Sequence, residues 1–122
     1  MRRAPQLHIG DLTMRVVVVL THAPMQGAHF QEAERAAMMF SGLGHAVDFV
    51  LMDDAVLSML EGGGYSFGLR QLGRISSIEG LSTYFLSSSA ARLKETPSVQ
   101  GFNPLTDGQF ASMLQEARVV VF

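Results

Sequence analysis

The chain has 122 residues, of which 48% are apolar and only 16% charged, with a formal net charge of −2 and no cysteine. That length fits one compact domain. The charge balance gives no electrostatic footprint for a polyanion, so no nucleic-acid partner is expected, and the missing thiols exclude disulfides, thiolate metal centres, iron–sulfur clusters and cysteine nucleophiles.

"MRRAPQLHIGDLT" opens with two arginines but has no apolar core of the kind a signal peptide carries, so residues 1–13 are expected to form a flexible arm before a single domain over 14–122. No apolar run approaches the ~18 residues of a membrane span, and a cytoplasmic location is expected. The four histidines, at 8, 22, 29 and 45, show no metal-ligand spacing, so neither a metal nor another cofactor is expected. So few charges leave apolar surface to be covered, which points to association with another subunit.

"RVVVVLTHAP" sets four valines and a leucine between an arginine and a proline, which predicts a strand over 15–21 covered on both faces. "HFQEAERAAMMFSGLG" then places Phe30, Ala33, Ala37 and Phe40 on one helical face, with Gln31, Glu34 and Arg35 off it. The helix should stop near Ser41, with Gly42 or Gly44 supplying a left-handed residue. "AVDFVLM", 46–52, is a second buried strand, and Asp54 is placed to cap a short helix, "AVLSML".

The glycine-rich "EGGGYSFGLRQLG" lacks the lysine and hydroxyl of a phosphate loop and is expected to be a mobile loop. Phe67, Leu69, Leu72 and Ile75 nevertheless fit one helix face between 65 and 77, against the cost of Gly68 and Gly73. "LSTYFL" is the third strand, "SSAARLKE" begins a helix, and "PSVQGF" is a marginal fourth strand. "PLTDGQFASMLQEA" takes Thr106 or Asp107 as its cap and Phe110, Met113 and Leu114 as its apolar set, before a fifth strand over 118–122. Strands alternating with helices predict an α/β fold, a three-layer α/β/α sandwich on a mainly parallel five-stranded sheet.

Ligand sites in such sheets lie beyond the carboxyl ends of the strands. Three segments reach that edge: "THAPMQGAHF", "DDAV" and "SSSAAR". They make His22, Gln26, Asp53, Ser87 and Ser88 the candidate ligand-binding residues, with His29 and Arg92 nearby. Ser87 and Ser88 fall where hydroxyls satisfy free helical N–H groups, so helix capping is one reading and anion binding the other. A nucleophilic serine needs a paired base, and no GxSxG elbow signals one. No catalytic residue is therefore assigned.

From strand one to "DDAV", and again in "TYFLSSSAARL" and "VQGFNPLTDGQFASMLQEARVVVF", the chain resembles the DsrE/DsrF-like sulfur-relay family, in particular its TusC/DsrF-type members. The resemblance covers about residues 15–122. It implies a three-layer domain that assembles as a homo-oligomer, trimer or hexamer, and a persulfide-carrying cysteine at Leu86 or Ser87. Neither residue can carry a persulfide, because a hydroxyl is no substitute for sulfur. Two functions follow as expectations. One is a non-catalytic accessory or structural subunit that meets a sulfur-transfer partner, with Met25, Met38, Met39, Met52, Met59 and Met113 as adaptable interface or core. The other is a small-molecule or anion-binding protein using the five candidate residues.

Overall fold

The computed structural model describes residues 14–24, 27–60, 66–93 and 99–122. The expected arm over 1–13 lies outside them, as do Met25 and Gln26. Five strands form one sheet: β1 (Arg15–Leu20), β2 (Ala46–Leu51), β3 (Leu81–Leu86), β4 (Phe102–Leu105) and β5 (Arg118–Val121). Their order is β4-β3-β2-β1-β5, and every pairing is parallel. The expected α/β class and five-stranded sheet are both present.

The helices sit on the two faces according to the alternation of the strands. Val16, Val18, Leu20, Phe49 and Leu51 point to one face and meet α1 (His29–Gly42), a 3₁₀ helix (Asp53–Met59) and α2 (Ser66–Ser76). Val17, Val19, Val50, Leu86 and Leu105 point to the other. That second face is covered by Phe110, Met113 and Leu114 of α4 (Asp107–Gln115), a helix with no fully buried residue. The first face is therefore the main core, and the second has a thin cover.

α1 follows its apolar period: Phe30, Ala33 and Ala37 are buried, and Gly44 takes the left-handed position with φ +89°. Glu34 breaks the expectation. It is only 7% exposed because α2 lies over it, and its carboxylate meets Arg74 at 3.2 Å. The stretch expected as a mobile loop is a helix from Ser66 onward. Leu72 and Ile75 enter the core, whereas 61–65 and the Phe67 side chain lie outside what is described. Gly68 permits this packing: a Cβ there would stand 3.0 Å from Pro24 Cγ and 3.1 Å from Ser58 Cα.

Three local expectations need correction. The helix after β2 begins two residues early, with Met52 in the cap position, so Asp54 lies inside its first turn instead of capping it. The fourth strand is "FNPL" rather than "PSVQGF"; it tolerates Pro104 because it is the outermost strand on its side. The helix after β3, α3 (Ser87–Ala90), is a single turn. The capping box at Thr106 forms as the sequence suggested: Gln109 N–H donates to Thr106 Oγ1 at 3.1 Å, and Thr106 N–H donates to Gln109 Oε1 at 2.9 Å.

Candidate functional site

The carboxyl ends of β1 to β4 bring the sequence-predicted segments to one edge. After β1, Thr21 Oγ1 donates to the Phe122 carbonyl at 2.9 Å and is 3.1 Å from His22 Nδ1. A threonine hydroxyl has one proton, already given to Phe122, so the His22 contact requires a proton on Nδ1. Neutral His22 then keeps its lone pair on Nε2. Its ring stacks on His29, with centroids 3.8 Å apart and planes 11° from parallel. In near-parallel stacked rings the in-plane nitrogen lone pairs do not converge on one point, which is unsuited to chelation. Among the described residues no group of three or more His, Asp or Glu could hold a metal.

After β2, Asp53 has φ +51°, a left-handed conformation uncommon outside glycine, asparagine and aspartate. Its N–H donates to Ser89 Oγ at 2.9 Å, so the third serine holds this turn. Asp54 Oδ1 lies 3.7 Å from Arg92, across a partly exposed pair. After β3, Ser88 Oγ donates to Asp107 Oδ1 at 2.7 Å. Ser87 is half-buried, and its hydroxyl bonds to no described residue. The cap position belongs to Leu86, with no side-chain cap bond. The serines therefore do not cap their own helix; they tie it to the 3₁₀ helix and to α4.

Of the five candidates, the structure links Asp53 to this serine turn through Ser89, and Ser88 to Asp107. His22 is held by Thr21 and His29 instead, and Gln26 lies outside the described residues. Sequence reasoning passed over Ser89, although one signal was available. It stands three residues after buried Leu86, one helical turn on, and so faces inward. Among the described residues no hydrogen bond joins a histidine to a serine hydroxyl, and the one between Ser88 and Asp107 keeps the serine as donor to a carboxylate without a relaying imidazole. Asp53, Asp54 and Asp107 contribute three carboxylates to the turn, and Arg92 already faces Asp54, so the local charge opposes an anion.

Two clefts lined by described residues lie away from this edge. One, of about 530 Å³, opens at the amino ends of β2 and β3 between Ser41, His45, Ile78 and Glu79. The other, of about 380 Å³, runs beside α4 between Arg15, Gln109, Met113 and Glu116.

No protein-family model and no curated protein matches the chain. Among solved structures it is similar to the YchN protein of E. coli, at 20% identity over 90% of this chain and 100% of that one, with a TM-score of 0.71. The chain has a DsrE-like fold. The two positions at the end of β3 differ sharply. Leu86 is 6% exposed and packs among Val17, Val19 and Val50, whereas Ser87 is half-buried and its hydroxyl bonds to none of the described residues.

Proposed function

We propose that this chain is a non-catalytic DsrE/DsrF-like protein, an accessory or structural subunit in an intracellular sulfur-relay context. One observation carries the reading: a DsrE-like sheet whose third strand hands over to its helix through leucine and serine, in a chain with no cysteine anywhere. Persulfide transfer requires a sulfur that accepts and then releases the outer sulfur atom. Without one, the domain contributes shape and surface to an assembly whose thiol is on another subunit. Two of the three serine hydroxyls at the edge are spent on holding turns, Ser88 with Asp107 and Ser89 with Asp53, which fits a scaffold better than a reacting centre.

The test is affinity capture of the tagged chain from its native cells, followed by light scattering and mass spectrometry. A cysteine-bearing DsrE-like subunit should co-purify at fixed stoichiometry. Loading the complex with radiolabelled sulfane sulfur should mark that subunit and leave this chain unlabelled. A chain that runs as a monomer and recovers no thiol-bearing partner would remove the proposal.

A further inference from the structure

We propose that residues 1–13 dock in the cleft at the amino ends of β2 and β3 of their own chain, where Leu7, Ile9 and Leu12 cover its apolar wall. The segment starts beside that cleft. Met14 donates its N–H to His45 Nδ1 at 3.0 Å, and its carbonyl accepts from the Ala46 N–H at 3.2 Å. His45 is a lining residue. The peptide C–N bond is about 1.33 Å long, so the carbonyl carbon of residue 13 lies within about 4.4 Å of that lining side chain. Fully extended, thirteen residues reach about 40 Å, so length does not confine the contact to the last few of them.

The walls are fixed before anything binds. Ser41 Oγ donates to the Glu79 carbonyl at 2.7 Å, which ties the end of α1 to the turn after α2. At about 530 Å³ the cleft has the size of an ordinary binding pocket. Its apolar surface is uncovered among the described residues: Met38 on the wall is 54% exposed, Leu43 between the lining glycines 42 and 44 is 66%, and Met14 is 40%. Apolar groups gathered in this way call for cover. The stretch "QLHIGDLT", which leads directly into Met14, supplies it, with Leu7 and Ile9 in two-residue alternation and Leu12 two positions from the tether.

Charge selects the same occupant. None of the described lining residues is a lysine or arginine, and Glu79 is exposed among them. α1 ends at the cleft with no basic residue in its last turn to oppose the negative end of its dipole. Residues 1–13 bring Arg2 and Arg3 against the single Asp11, in a chain whose formal charge is −2. The cleft beside α4 offers no such match, because Arg15 lines it. The docking cleft is at the opposite end of β3 from the serine turn, so the inference stands apart from the sulfur-relay reading.

The chain has no cysteine, so a Gln6→Cys substitution in the full chain carries a single nitroxide label. Methyl magnetic resonance then reads which surface the label approaches. With the nitroxide oxidised, the Met38 and Ile78 signals should fall to less than half of their intensity with the label reduced, while Met113, in the cleft beside α4, keeps nearly all of its own. Adding Leu7→Ser with Ile9→Ser to the labelled chain should restore Met38 and Ile78 and leave the circular dichroism unchanged. Equal losses at Met38 and Met113 would overturn the proposal, because an undocked segment sweeps both sides of Met14. Losses centred on Met113, or losses at Met38 and Ile78 that survive the serine substitutions, would also overturn it. A mixture of labelled chain with isotope-enriched chain lacking the nitroxide checks the occupant: losses on the unlabelled copy would assign the cleft to another chain's segment and overturn the proposal as well.

Discussion

At the end of β3, a single step along the backbone separates a side chain in the core from one near solvent. Leu86 packs into the second face of the sheet, and the Ser87 hydroxyl engages none of the described residues. Thiol reactivity depends on access as well as ionisation. A Ser87→Cys variant is therefore expected to alkylate with iodoacetamide at a rate near that of a free thiol, and Leu86→Cys at least ~10-fold more slowly. Equal rates would show that the core does not protect position 86. Ser58 is a second informative residue. It is fully buried, and among the described residues its Oγ has no hydrogen-bond partner. Leaving a buried hydroxyl unpaired costs about 1–3 kcal/mol, so Ser58→Ala should be neutral or raise stability by about 1 kcal/mol in urea unfolding. A clear loss would reveal a partner for that hydroxyl.

At the level of elements, α2 shows how packing and intrinsic preference compete. Glycine weakens a helix by up to about 1 kcal/mol relative to alanine. At Gly73 an added Cβ meets nothing within 4 Å, so Gly73→Ala should stabilise by up to that amount. At Gly68 the same methyl would press on Pro24 and on the Ser58 backbone, and overpacking of this kind costs about 1–3 kcal/mol. Gly68→Ala should therefore destabilise despite its better propensity; paired thermal unfolding of the two variants checks the opposite signs. This helix also marks where the sequence ceased to be readable. The valine runs of β1 and β5, the apolar face of α1 and the Thr106 box were legible because each follows from residues close together in the chain. Glu34 was misread because its burial depends on α2, a helix some thirty residues away. The serine turn was misread for a similar reason: its partners, Asp53 and Asp107, arrive from the ends of other strands.

For the whole molecule, the strand order ranks local stability. β1 is paired on both sides and has five consecutive buried residues, whereas β4 and β5 are paired on one side only. Amide exchange follows such differences because it reports the free energy of local opening. The slowest amides are expected in β1 and β2, with α4, which buries no residue fully, exchanging well before α1. Equal protection of α1 and α4 would contradict the unequal cover of the two faces. The candidate edge was located by topology, since strand-to-helix handovers were visible in the sequence. Its chemistry was not, because the hydroxyls there serve contacts between elements that only the folded chain creates.

The strand order also governs the sequence of assembly. The strand lying between β2 and the outer edge is the first in the chain, and its second neighbour is the last, 118–121. During synthesis, and after any unfolding event, the four-valine run of β1 is an open edge until roughly a hundred later residues have been made and β5 has docked. Contacts at such long sequence separation form slowly. The interval exposes an uncharged, β-branched run to other nascent chains. Refolding yield should therefore depend on concentration more steeply than native stability suggests, with β5 docking as the step that ends the risk.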